Sequence, residues 1–113
     1  MAIAVVVGPS TGANSGFSAT ITLTLLGVTA GQSIVVGAIW NDTANSISSV
    51  TCTGESNLTL HTKVGSGSTV GAHQFASLAN VTASGDKTIV ITWGSNHSPS
   101  EANAFAMSLS GTD

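Results

Sequence analysis

The stretch Phe17-Ser18-Ala19-Thr20-Ile21-Thr22-Leu23-Thr24-Leu25 puts an apolar residue at every odd position and a hydroxyl-bearing one at every even position. Side chains of a strand alternate between two faces, so a period of two builds one dry face and one wet face, which no helix can present. Lys87-Thr88-Ile89-Val90-Ile91-Thr92-Trp93 repeats the rhythm. Ser33-Ile34-Val35-Val36-Gly37-Ala38-Ile39-Trp40 is apolar at nearly every residue, as a central strand covered on both faces would be. It ends at Asn41-Asp42, which are good turn formers.

Further strands are expected over residues 2–7, 46–53, 57–64, 69–78 and 102–110, separated by Gly-rich turns and by the short link Gly54-Glu55-Ser56. The total is about eight strands with no segment of helical period. That pattern predicts an all-β fold, a two-sheet antiparallel β-sandwich of the Ig-like or jelly-roll kind, filling residues 1–113 as one domain. Composition agrees. Charged residues are 6% of the chain where about 25% is usual, so the Glu, Lys and Arg that clothe exposed helix faces are nearly absent. Ser, Thr, Asn and Gly take their place, while an ordinary hydrophobic share of 42% is enough to form a core.

The scarcity of charge also excludes function classes. Five acids against Lys63 and Lys87, with no Arg, leave a net charge of −3 and almost nothing to neutralise a phosphate backbone or an anionic membrane. No nucleic-acid or membrane partner is expected. The single cysteine, Cys52, cannot form an intramolecular disulfide and reads as a small buried thiol. The N-terminal Ala2-Ile3-Ala4-Val5-Val6-Val7 has no preceding basic region and is cut short at Gly8-Pro9, so it reads as a strand and not as a signal peptide or a membrane span.

Catalytic chemistry finds little footing. His61, His73 and His97 match no compact metal-ligand spacing, and the acids Asp42, Glu55, Asp86, Glu101 and Asp113 are scattered over turns, with no pair marked for general acid and base work. Neither an enzyme nor a cofactor or metal is expected. Two tryptophans, Trp40 and Trp93, end strands, where buried packing at the rim of the sandwich is the favoured reading; the alternative is a ring at a loop edge that stacks on a sugar.

Ala30-Gly31-Gln32-Ser33-Ile34-Val35-Val36, Ile47-Ser48-Ser49-Val50-Thr51, Asn57-Leu58-Thr59-Leu60, Ala79-Asn80-Val81, Lys87 to Trp93 and Ala104 to Asp113 follow one another in a recognisable order. Over roughly residues 16 to 113 they resemble the Ig-like or jelly-roll β-sandwich modules of bacterial surface proteins and of phage virion proteins, the capsid decoration or cement proteins among them. The resemblance implies a non-enzymatic structural virion protein, made in the host cytoplasm without a signal peptide and located on the capsid surface. It would bind the major capsid protein, copies of itself or both, as a homo-oligomer on the particle. Residues 1–9 are the expected docking or edge-strand arm, with Ala2, Ile3, Val5 and Val7 as interface candidates, because a strand at a free terminus readily adds to another sheet. The same segment also reads as the first strand of the domain's own sandwich. The alternative function is a carbohydrate-binding or adhesion module that stacks its ligand on Trp40 or Trp93.

Overall fold

The computed structural model describes residues 3–15, 20–41, 45–65, 71–94 and 101–111. Eight strands follow one another: β1 (Ala4–Ser15), β2 (Thr20–Val28), β3 (Ser33–Trp40), β4 (Ile47–Cys52), β5 (Thr59–Leu60), β6 (Ala72–Leu78), β7 (Gly85–Trp93) and β8 (Glu101–Ser110). They form two antiparallel sheets, in the orders β1-β8-β3-β6-β5 and β2-β7-β4. The predicted all-β, two-sheet sandwich is therefore the fold.

The pairing decides between the two expected forms. β1 pairs with β8, β2 with β7 and β3 with β6, so the chain runs as a long antiparallel ribbon wound around the core, and successive strands from β1 to β4 alternate between sheets. This is the jelly-roll arrangement, whereas an Ig-like sandwich places its first two strands side by side. β5 bridges the sheets: the Leu58 N–H donates to the Val50 carbonyl of β4, and the next two residues pair with β6.

The core is built from unequal faces. β2, β4 and β7 send in Ile21, Leu23, Leu25, Val50, Ile89 and Ile91, while the facing sheet is lined along β6 and β8 by Ala72, Ala76, Ala102, Ala104 and Ala106. The alanines of β6 and β8 leave room for the large aliphatics of the opposite sheet, and β3 between them adds Ile34, Val36 and Trp40. Trp40 and Trp93 meet edge to face between the sheets, centroids 5.6 Å apart.

Three local expectations are corrected. Gly8-Pro9 does not end the first strand: β1 runs on to Ser15, with register shifts on either side of Val7. Proline is tolerated there because β1 is a sheet edge and the ladder is already irregular, and Gly8 takes a φ of 99° that puts its backbone against the Ala106 carbonyl. The fifth strand is two residues long, followed only by an isolated bridge from Val64 to His73. β3 is central, but its outer face is covered only in part: Ile39 is 57% exposed.

One ion pair is buried. Lys87 Nζ lies 2.9 Å from Glu55 Oε2, the side chains being 4% and 1% exposed. Glu55 also accepts from the Thr82 N–H and hydroxyl at 2.8 Å each and from the Ala83 N–H at 3.3 Å. The Lys87 ammonium and these donors hold the Glu55 carboxyl down at about 2, and Glu55 ties the turn after β4 to β7 and to the segment before it. Burial pushes the neighbouring Cys52 thiol above its ordinary value, the Lys87 charge opposing that rise.

Candidate functional site on the outer sheet face

The exposed face of the five-stranded sheet is a grid set by strand register. Phe75 on β6 and Phe105 on β8 both stand opposite Gly37 on β3, and Thr11 on β1 stands opposite Phe105. The next row toward Trp40 holds His73, Ile39 and Asn103, and the row on the other side holds Ser77, Val35 and Met107. Between them Ala76 on β6 and Ala104 and Ala106 on β8 turn inward to the core, with Gln74 buried beside them on β6, so on β8 the bulky side chains face out and the alanines face in.

The two phenylalanine rings lean together over β3, with centroids 6.2 Å apart and planes at 68°, and the His73 ring approaches Phe75 edge-on at 6.5 Å. Phe75 is 46% exposed and Phe105 half-buried. Around them lies a cleft of about 670 Å³ bordered by Thr11, Gly12, Ile39, His73 and Asn103 as well as the two rings. Among its described lining residues none is Asp, Glu, Lys or Arg. The polar groups offered are an imidazole, a carboxamide and a hydroxyl, each able to donate and accept hydrogen bonds. An apolar concavity with a few such groups is the usual composition of a small-ligand site.

The residues expected from sequence fall elsewhere. Trp40 and Trp93 are 2% and 1% exposed, so neither offers a ring face to a sugar; strand ends in this fold can point into the core, and these two pack on one another there. Ala2 lies outside the described residues. Ile3 and Val5 are exposed at the β1 edge, and Val7 is half-buried, packed against the core, with its N–H donating to the Ser108 hydroxyl at 3.1 Å. The structure thus pairs this segment with β8 of its own domain while leaving Ile3, Val5 and Val6 in the open.

The titratable groups do not converge. Glu55 is held by Lys87, the Asp86 carboxylate accepts from the Gly27 N–H at 2.9 Å, and His61 shares a hydrogen bond of 2.7 Å with the Ser77 hydroxyl one row from the rings. Among the described residues no three His, Cys, Asp or Glu side chains gather as a metal site; His97, Asp42 and Asp113 lie outside them. Gly8-Pro9-Ser10-Thr11-Gly12 has the Gly-x-Ser-x-Gly spacing of a hydrolase nucleophile, but it lies within an edge strand, with Ser10 opposite Ala106, and not at a sharp strand-to-helix turn.

No protein-family model matches the chain, and no curated protein matches it. Among solved structures it is similar to a carbohydrate-binding module, CBM36, in complex with calcium and xylotriose, at 13% identity over 96% of this chain and 98% of that one, with a TM-score of 0.35.

Proposed function

We propose that the chain is a non-enzymatic binding module that holds a neutral carbohydrate against the outer face of its five-stranded sheet. The observation that carries this reading is the uncharged cleft around Phe75 and Phe105, with Thr11, His73 and Asn103 at its border. A sugar presents apolar C–H faces and rings of hydroxyls, and the cleft answers the first with aromatic rings and the second with groups that both donate and accept. Charge would serve a phosphate or a carboxylate ligand, and the described lining residues have no fixed charge to give. Binding without turnover fits a cleft in which one histidine is the titratable group among the described lining residues. Titration against a panel of neutral oligosaccharides tests the reading: the wild type binds, and Phe75→Ala abolishes binding while the protein stays folded. A folded wild type that ignores every neutral glycan refutes it.

The second reading is capsid decoration, in which the protein binds the major capsid protein or its own copies on the virion surface. It is favoured by the β1 edge, a strand free on one side in the sheet order, with Ile3 and Val5 exposed on a segment that carries no charge. Saturable binding to capsids stripped of accessory proteins, at a fixed ratio to the capsid subunit, is its test; a protein that stays monomeric beside such capsids excludes it.

A further inference from the structure

We infer that Gly37 sets what the cleft can take: it leaves room for Phe75 and Phe105 to converge over β3 into an angled notch that clasps a single soluble sugar chain and not the flat face of a crystalline polysaccharide. The inference rests on the carbohydrate reading above.

Glycine is a poor choice for the middle of a central strand, since it gives the strand nothing to pack and costs the most backbone freedom on folding. Gly37 is not among the glycines with positive φ, so its backbone conformation suits any residue. What excludes a side chain is space. A Cβ there would lie 2.4 and 2.7 Å from Cε1 and Cζ of Phe105 and 2.9 Å from Cε1 of Phe75. All three atoms are far ends of side chains on a solvent-facing surface, so a methyl group would swing the rings apart and leave the strand in place.

The consequence for the ligand follows from the angle. β6 and β8 flank β3, so the two phenylalanine backbones stand about 9–10 Å apart, two strand spacings. Their rings close that distance to 6.2 Å between centroids, at 68° to one another. Two rings at that angle cannot both lie flat on one plane, so a crystal face meets at most one of them. A single chain entering the notch meets both, with His73 and Asn103 flanking Ile39 in the next row to take its hydroxyls.

The test uses the intact chain, a soluble ladder of neutral β-1,4-linked oligosaccharides from disaccharide to hexasaccharide, and microcrystalline cellulose and chitin. The wild type shows nuclear Overhauser contacts between the Phe75 and Phe105 rings, binds the longer soluble oligosaccharides and stays in the supernatant with the solids. Gly37→Ala keeps the sheet chemical shifts, loses the ring contact and binds the oligosaccharides at least about tenfold more weakly. Because Gly37 acts through the ring, adding Gly37→Ala to a Phe105→Ala background changes affinity less than about twofold. A Gly37→Ala protein that binds soluble chains as tightly as the wild type, or a wild type retained on the solids in preference to the soluble ladder, overturns the inference while leaving the carbohydrate reading intact. A wild type that binds neither overturns that reading and the ligand half of this one, and the ring contact in Gly37→Ala then decides Gly37's part by itself.

Discussion

Replacing Glu55 by Gln keeps the shape of a buried side chain and removes its charge, and with it the carboxylate oxygen that Lys87 and the Ala83 N–H share. In the wild type Lys87 Nζ has the Glu55 carboxylate at 2.9 Å and the Thr53 carbonyl at 3.4 Å. After the substitution the long contact to Thr53 is the remaining one of the two, for an ammonium that is 4% exposed. Stranding one partner of a buried pair typically costs about 3–5 kcal/mol. The depression of the Glu55 carboxyl by the same pair points to a similar size. Glu55 is held at about 2 against an ordinary 4.5, and at about 1.4 kcal/mol per pH unit that difference is worth about 3 kcal/mol, lowered somewhat by solvent at the rim of the sandwich. Because the folded-state value is depressed, the contribution is complete above pH 4.5 and is lost as pH falls toward 2. Urea unfolding reads both numbers. With a slope of about 1.5 kcal/mol/M, Glu55→Gln lowers the midpoint at neutral pH by about 2 M, and its midpoint then falls less steeply with acid than that of the wild type. A variant within about 1 kcal/mol of the wild type at neutral pH, or one that tracks it in parallel from pH 4.5 down to 2, refutes the reasoning. The double variant Glu55→Leu/Lys87→Met, which strands neither charge, recovers most of the loss if stranded charge is its cause.

Trp93→Ala opens a large cavity under both sheets and costs about 3–5 kcal/mol in thermal or urea unfolding, so its effect on any ligand is indirect. Phe75→Ala, on the solvent-facing side, costs less than about 1 kcal/mol by the same measurement. Gly8→Ala forces a side chain into positive φ with its Cβ 2.8 Å from the Ala106 carbonyl oxygen, and lowers stability by about 1–3 kcal/mol; unchanged melting would mean that the irregular start of β1 relaxes freely. Val5→Lys leaves the monomer's melting point in place but abolishes any self-association or particle binding that runs through the β1 edge, as sedimentation will show.

β2 and β7 were legible because each buries one face and wets the other, so a period of two survives in the residues themselves. β1 was legible only in part: a glycine and a proline ordinarily end a strand, and nothing local reveals that this one is an edge that tolerates them. The tryptophans were legible as rim packing, and the structure buries both against one another; only the alternative, a ring open to a sugar, falls. The cleft left only a trace in the sequence. Phe75 and Phe105 become neighbours only through their common partner Gly37, and that register is a long-range property of the pairing. A trace was present in β8, where Ala102, Ala104 and Ala106 alternate with Asn103, Phe105 and Met107: bulky residues opposite a run of alanines mark an outer face with something to hold.

The wound ribbon also sets the order in which the molecule can assemble itself. Val7 and Ser108, joined by a hydrogen bond, are 101 residues apart in sequence, and among the described residues β1 has β8 as its one ladder partner. On the ribosome β1 must therefore wait, unpaired, until β8 has left the exit tunnel. Loop closure on that scale places folding in the slow range of small domains, milliseconds to seconds, with the seam between β1 and β8 closing late and opening early. The same seam sets Ala4 opposite Ser110, so linking the two ends of the domain and cutting it at a distant turn would give a permuted domain in which β1 and β8 are made together.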